Sequence, residues 1–410
     1  LPISSKSGEW PLRPSYGGSK ELQEMRDEAT SLVDLPSPIL LEIFSRLPPT
    51  TLLYVKSVCK SLLKLTLDSE FSKLSHSTSP ASIIINQFHN IRTASRTNTL
   101  KFLKFVEDNS DHEICHDPNL DLDLQLYFPV DPFFLVGSVH GFVCFNYFCS
   151  DVDSIYILNP RTREYIILPE AQGVRKWPNL VTYGFGFDPV AFEYKVVRIY
   201  QEEIFDDTNG SRYYKSEAQV YTIGKGYCRN ASHVMFCFGC RAYGVNLYGK
   251  LHWLVSDANG NELICSLNLE KELFASFPTA PGYTQENCPN LRSLGVFGHC
   301  LCVCDNNVDS HFEVWVLKEY GVNSSWVKEI VINITPECNN WLCYEMINLL
   351  KVLEDGEVLY LWRDDFLFLH HPVKKTLKML DVCEGNFLAS AHVSSSFSLK
   401  NFEAEVVNVF

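Results

Sequence analysis

The chain has 410 residues, 46% of them hydrophobic and 20% charged, with a formal net charge of −14. That is enough apolar material for two or three packed domains, and the acidic balance excludes a phosphate-tracking nucleic-acid binder, which needs clustered Lys and Arg. No apolar stretch approaches the ~20 residues of a membrane span and no secretory leader pattern is visible, so no membrane partner is expected.

Residues 1–30 carry Pro2, Pro11, Pro14, Gly17 and Gly18 among polar neighbours and read as a mobile tail. Leu1 in place of Met leaves room for an upstream segment. Residues 31–76 are the one strongly helical stretch, and three short helices are expected there. After Leu35-Pro36, Ser37 can cap a helix and Pro38 suits its first turn. Ile39, Ile43 and Leu47 repeat at four-residue spacing with Leu40 and Phe44 beside them, an apolar stripe that Pro48-Pro49 ends. Leu52, Val55, Cys59 and Leu62 share a face of a second helix, and a third segment ends near Phe71. So small a module cannot bury both faces of every helix, and the leftover stripe calls for a partner.

From residue 80 to 410 the pattern changes to short apolar runs of period two separated by turns, an all-β region. An internal repeat favours a β-propeller over a sandwich or barrel. Ile155 to Leu158 followed by Asn159-Pro160-Arg161-Thr162-Arg163-Glu164 is echoed by Leu263 to Leu267 with Asn268-Leu269-Glu270-Lys271-Glu272, and by Phe366 to Leu369 with His370-His371-Pro372-Val373-Lys374-Lys375. The units lie about 105 residues apart, which suits two to three blades each and about six in all. The polar stretches Glu202 to Arg212 and Gly282 to Asn290 read as surface loops able to carry binding, but no substrate-binding residue is identifiable.

Several apparent sites weigh more as structure than as chemistry. The 15 cysteines fall mostly in runs such as Phe142-Val143-Cys144-Phe145 and Leu301-Cys302-Val303-Cys304, where a thiol behaves as a small buried hydrophobe in a reducing compartment. Cys237-Phe238-Gly239-Cys240 has no second pair to complete a zinc site, and Cys300, Cys302 and Cys304 line up along one strand face rather than converge. No metal, cofactor or catalytic residue is expected, since nucleophile-elbow and HExxH motifs are missing. His370-His371 reads as a turn or packing pair. The sequons at Asn209, Asn230, Asn323 and Asn333 read as chance matches without a secretory signal. Trp253, Trp315, Trp326 and Trp362 are expected to pack between sheets, and Gly184, Gly186 and Gly249 to permit turns and close backbone approach.

Two family resemblances rest on these residues. Leu35-Pro36, Ile39-Leu40, Ile43-Phe44 and Arg46-Leu47-Pro48, with Val58-Cys59-Lys60-Ser61 and Asp68-Ser69-Glu70-Phe71, resemble an F-box; Leu62 stands where the family often has Trp. Asn159-Pro160-Arg161-Thr162-Arg163-Glu164, Tyr183 to Pro189, Tyr194-Lys195-Val196-Val197, Gly249 to Leu254, Leu294-Gly295 to Cys304, Val314 to Gly321 and Ser325-Trp326 resemble the plant F-box-associated, kelch-like interaction domain over about residues 130–385. The resemblance implies a non-enzymatic substrate receptor of an SCF (SKP–cullin–F-box) ubiquitin ligase in the cytoplasm or nucleus. It would bind the SKP adaptor, and cullin through it, by Leu35, Pro36, Ile39, Leu40, Ile43, Phe44, Leu47, Pro48, Leu52, Val55, Val58, Cys59 and Leu62, and an unidentified target by the propeller. The alternative is a ligase-independent scaffold or glycan-binding propeller, with residues 31–76 docked on the β domain.

Overall fold

A computed structural model describes residues 35–45, 47, 55, 62, 82–90, 95–108, 111–116, 121–128, 133–149, 152–170, 180–206, 211–231, 236–239, 243–282, 291–308, 311–333, 345–353, 355–383, 385–395 and 397–410. Of the three helices expected over residues 31–76, the described residues hold one, α1 (Ser37–Ser45); Val55 and Leu62 are also helical, and the residues around them lie outside the described set. The α1 N-terminus is set by the Pro36 carbonyl, which accepts from the N–H groups of Ile39 (2.9 Å) and Leu40 (3.1 Å). Ser37 is therefore the first helical residue, one position inside the cap expected for it.

The β region is a six-bladed propeller. Blade I contains β1 (Ser82–Asn90), β2 (Ser95–Asp108), β3 (Asp111–His116) and the short β4 (Leu122–Asp123). Blade II contains β5 (Phe134–Val139), β6 (Phe142–Cys149), β7 (Val152–Asn159) and β8 (Glu164–Ile167). Blade III is β9 (Leu180–Asp188), β10 (Glu193–Asp206), β11 (Ser211–Thr222) and β12 (Cys228–Asn230). Blade IV has an inner strand split into β13 (Cys237–Phe238) and β14 (Val245–Leu247), both paired with β15 (Lys250–Ser256), then β16 (Glu262–Asn268) and β17 (Leu273–Pro278). Blade V is β18 (Arg292–Phe297), β19 (Cys300–Val308), β20 (His311–Leu317) and β21 (Trp326–Asn333); blade VI is β22 (Ile347–Val352), β23 (Val358–Trp362), β24 (Phe366–His371) and β25 (Thr376–Leu380). β26 (Phe387–Ala391) then returns to pair antiparallel with β1, so blade I takes its inner strand from the far end of the chain. β27 (Asn408–Val409) adds a fifth, outermost strand to blade II.

Because every blade is an antiparallel meander, its connections sort onto two faces. The hairpins between first and second strands and between third and fourth strands lie on one, here the turn face. The remaining hairpins, and the points where the chain leaves the outer strand of one blade and enters the inner strand of the next, lie on the opposite, loop face. The sequence repeat is the turn-face hairpin. Asn159 Oδ1 accepts from the N–H groups of Arg161 (3.0 Å) and Thr162 (3.3 Å), Asp188 Oδ1 from Val190 (2.9 Å) and Ala191 (3.2 Å), and Asn268 Oδ1 from Lys271 (2.8 Å). The ring nitrogen of His371 takes the same place, accepting from the Lys374 N–H at 3.4 Å. Each turn then closes on a residue in the left-handed region, Arg163, Phe192, Glu272 or Lys375, with φ of 53–61°. A short acceptor that holds its own turn is what Asn and Asp offer at such positions.

Between blades the contacts are largely apolar, as alternate residues of facing sheets interdigitate. Blades II and III share a cluster that includes Phe142, Ile157, Phe185, Tyr194 and Tyr221, and blades V and VI one that includes Cys302, Phe312, Val358, Tyr360 and Phe368. Cys144, Cys265, Cys302 and Cys304 are buried free thiols, as their apolar runs imply. Trp253, Trp326 and Trp362 are buried and Trp315 half-buried. Trp253 fills the blade III–IV junction, where its indole N–H donates to the Tyr183 carbonyl at 3.2 Å. Gly184 and Gly244 leave room for it: a Cβ on either would meet the indole Cζ2 at 2.8 and 2.7 Å.

Candidate functional site

The helical module divides the expected adaptor residues by burial. Leu40, Leu41, Phe44 and Leu62 form a small core, with Leu47 and Val55 packed against it. Leu35, Ile39 and Ile43, one turn apart, stay exposed at 37%, 48% and 38%, with Pro36 exposed beside them. The expected single stripe is thus two adjacent ones: an inner stripe that builds the module and an outer one that it presents. Leu62, in the place where Trp was expected, is a core residue at 3% exposure. Pro48, Leu52, Val58 and Cys59 lie outside the described residues.

The chain enters the propeller at Ser82 on the turn face, where Ser82 pairs with His392 just beyond β26. The same face carries the C-terminal segment as a strap. Asn159 Nδ2 donates to the carbonyls of Ser395 (3.1 Å) and Phe397 (2.7 Å). Glu164 accepts from the Ser398 hydroxyl (2.8 Å), the Leu399 N–H (2.8 Å) and the Thr162 hydroxyl (2.9 Å), with Lys400 at 3.7 Å. Burial alone would raise the Glu164 pKa, but these hydrogen bonds and the lysine outweigh it and hold the carboxyl below its ordinary value. Farther along, Glu405 accepts from the Tyr221 hydroxyl at 2.9 Å and the Gly224 N–H at 2.7 Å. The strap therefore covers the turns of blades II and III.

The connections between blades leave from the loop face, among them those after Ile167, Pro278 and Asn333. Of the loops singled out in the sequence, Glu202 to Arg212 and Gly282 to Asn290, the described residues fall on this side; residues 207–210 and 283–290 lie outside the described set. The first is more than a loop. Among the described residues β10 pairs with β9 as far as Gln201↔Leu180, and β10 and β11 remain paired to Asp206↔Ser211. The last five residues of β10 and the first five of β11 thus form a two-stranded ribbon of about 17 Å. Phe205 sits near its end, 55% exposed. A large apolar side chain held on a paired ribbon is a suitable anchor for a partner pocket.

Buried polar groups fix how the blades sit beneath these loops. Between blades II and III, Asp153 accepts from the hydroxyls of Tyr183 (2.8 Å) and Tyr200 (3.0 Å) and lies 3.4 Å from Arg198 Nε. Arg198 Nη1 donates to the Pro169 carbonyl at 3.1 Å. Burial, then the adjacent Asp153 charge, raises both phenols well above the usual tyrosine range. Between blades IV and V, buried Arg292 bridges Glu262 and Asp305, the latter at 3.0 Å. His252 on β15 is closed off: its Nδ1–H donates to the Val245 carbonyl (3.2 Å) and its Nε2 accepts from the Tyr320 hydroxyl (2.7 Å), and burial lowers its pKa to about 4.

His371 packs in its turn and His370 is buried beside it. Ser138 Oγ meets His392 Nδ1 at 2.9 Å, and the same ring packs against Phe102 at 5.6 Å, edge to face. Among the described residues no group of three His, Cys, Asp or Glu side chains could hold a metal; Cys240 of the CxxC lies outside them. The sequence reading missed Phe205 and the strap. The alternation Phe387-Leu388-Ala389-Ser390-Ala391 was a strand signal, but nothing in it announces pairing with β1 some 300 residues earlier.

Comparison with known proteins agrees with this arrangement. Residues 90–398 match the model of the "F-box associated beta propeller domain" and residues 32–73 that of "F-box-like". Three relatives come from Arabidopsis thaliana. F-box protein At3g07870 is 28% identical over 83% of this chain and 86% of its own length. F-box protein CPR1 is 25% identical over 89% of each, and F-box/kelch-repeat protein At3g23880 is 27% identical over 76% and 83%. Among solved structures, TolB from Acinetobacter baumannii aligns with a TM-score of 0.44 at 10% identity, covering 81% of this chain and 72% of that one.

Proposed function

We propose that this chain, which belongs to the F-box-associated β-propeller family, is the target-recognition subunit of an SCF (SKP–cullin–F-box) ubiquitin ligase. The observation that carries the reading is the outer stripe of α1. Leu35, Ile39 and Ile43 stay exposed although the module beneath them has its own core. An apolar stripe left open on an amphipathic helix fits a partner's groove, the mode by which helices dock on adaptors. This openness also favours the adaptor reading over a scaffold whose helices dock on the β domain.

In this reading the SKP adaptor takes the outer stripe together with Pro36 and with Pro48, Leu52, Val58 and Cys59, which lie outside the described residues, and cullin joins through the adaptor. The target is held on the loop face, with Phe205 as one anchor. The chain supplies no catalytic side chain. It raises the effective concentration of a target lysine near a ubiquitin-loaded enzyme, in the cytoplasm or nucleus.

The test replaces the outer stripe alone. Ile39→Asp with Ile43→Asp should abolish co-purification with a SKP-family adaptor while the propeller unfolds at the same temperature as wild type. Phe44 is unsuited to this test because it is 1% exposed and its loss would collapse the module. Undiminished adaptor retention by the double variant would sink the proposal.

A further inference from the structure

Blade I is closed by chain from both ends of the propeller. Its inner strand β26 is preceded by residues that pack on the blade VI–I interface. Val382 and Cys383 among them lie against a cluster that includes Ile83, Ile85 and Leu103 from blade I and Leu359, Leu367 and Leu369 from blade VI. Lys101, on β2 opposite Ile85, reaches into the same place, and its Nζ donates to Cys383 Sγ at 3.6 Å. Both residues are half-buried, and Cys383 is a free thiol. A primary amine and a thiol are therefore held in contact at the junction where the ring closes, 282 residues apart in sequence.

We propose that Lys101 and Cys383 form an oxidant-driven covalent cross-link, an S–N bond between Sγ and Nζ that staples blade I to the segment leading into β26. The oxidant is a hydroperoxide. In the first step the sulfur attacks one peroxide oxygen and the O–O bond breaks. The products are the sulfenic acid and, for hydrogen peroxide, one water. In the second step Nζ, having released its ammonium proton to solvent, attacks the sulfenic sulfur. The S–O bond breaks, hydroxide leaves and takes an amine proton as water, and the S–N bond forms. Sulfur is oxidised, peroxide is reduced, and the protein loses two hydrogens. A thiol reverses the link by attacking sulfur and releasing the amine.

The setting explains why the pair would behave differently from an exposed thiol. Burial raises the Cys383 pKa and the Lys101 charge opposes that rise, while Asp121 and Asp381 add to it. Sulfenylation is accordingly slow, but the amine already in contact intercepts the product before a second peroxide reaches it. The link closes a very long loop, so it restrains the unfolded chain strongly.

The experiment treats the full chain with graded hydrogen peroxide, alkylates free thiols, digests with trypsin and reads peptides by mass spectrometry. The expected product joins the Lys101 and Cys383 peptides at about 2 Da below their summed mass and disappears on dithiothreitol treatment. Its yield should track a rise in the urea midpoint. Lys101→Arg, which keeps the charge but removes the nucleophilic amine, should abolish the link and the midpoint shift while increasing dimedone-trapped sulfenic acid at Cys383. Cys383→Ser should abolish all three signals. Recovery of Cys383 only as thiol, sulfinic acid or sulfonic acid with Lys101 free would overturn the proposal. So would an unchanged Lys101→Arg profile. Neither result bears on adaptor binding, which is measured separately.

Discussion

Replacing Asp153 by alanine removes the carboxylate that accepts from two tyrosine hydroxyls and forms an ion pair with Arg198 at the blade II–III junction. The Arg198 side chain is 2% exposed and Asp153 15% exposed, so the two partners are unequal. Loss of the carboxylate leaves a guanidinium uncompensated in the interior, a change that costs about 3–5 kcal/mol. The Tyr183 and Tyr200 hydroxyls also lose their acceptor, which places the expected cost toward the upper end of that range. Arg198→Met has the opposite character. It leaves Asp153 with two phenol donors and some solvent, and should cost about 1–2 kcal/mol. Combining the two removes both charges, so the double variant should be more stable than the sum of the singles by at least about 1 kcal/mol. In thermal unfolding Asp153→Ala should lower the midpoint by about 6–10 °C, at about 2 °C per kcal/mol for a domain of this size. Urea unfolding followed by tryptophan fluorescence measures the same cycle. Equal single effects that add without coupling would refute the reasoning, because the asymmetry comes from the difference in burial.

Other expectations follow from the same structure. Gly184→Val should destabilise by about 2–3 kcal/mol through overpacking, since even a Cβ meets Leu251 and Trp253 at 2.8 Å; Gly137→Ala, with nothing within 4 Å, should be near neutral in the same urea titration. His252 and His392 are both lowered by burial to about 4 from an ordinary 6.5. The unfolded chain therefore takes up their protons first, so stability is full above pH 6.5 and falls toward pH 4, by up to about 3 kcal/mol per histidine; His392→Gln should flatten a plot of midpoint against pH. Glu164 is held below its ordinary 4.5, so its grip on the strap is present above that pH and lost as the pH falls through and below it. Glu164→Gln should remove this acid-dependent step and expose the strap to limited proteolysis at neutral pH. Phe205→Ser should leave the unfolding midpoint within about 0.5 kcal/mol equivalent of wild type and reduce target capture from plant extract.

Much of the architecture was legible because propeller hairpins write local rules into sequence. The Asn159 and Asn268 turns repeat because each must hold its own backbone, and the distance between them counts two blades. Buried cysteines and tryptophans were readable from the apolar runs around them. Nonlocal features were not. Period and composition mark Phe387–Ala391 as a strand but cannot name its partner, and only the ring geometry brings it to β1. The apolar residues of α1 were legible as a set, yet their division was hidden: Ile39 and Leu40 are adjacent and equally apolar, and only the tertiary cluster with Phe44 and Leu62 covers one and leaves the other exposed. Phe205 lay within a stretch read as a polar loop because the continued pairing of β10 with β11 leaves no periodic signature of its own.

The shared blade also orders events during synthesis. α1 and the residues around it leave the ribosome long before Phe387–Ala391, and a nascent chain folds what has emerged. Five blades can form while blade I waits for its inner strand, so the helical module can be ready for an adaptor before the ring is shut. A stop codon between residues 76 and 387 would then yield a chain that keeps the helical module while lacking a closed recognition domain. Such a product would compete with the intact protein rather than merely fail to replace it.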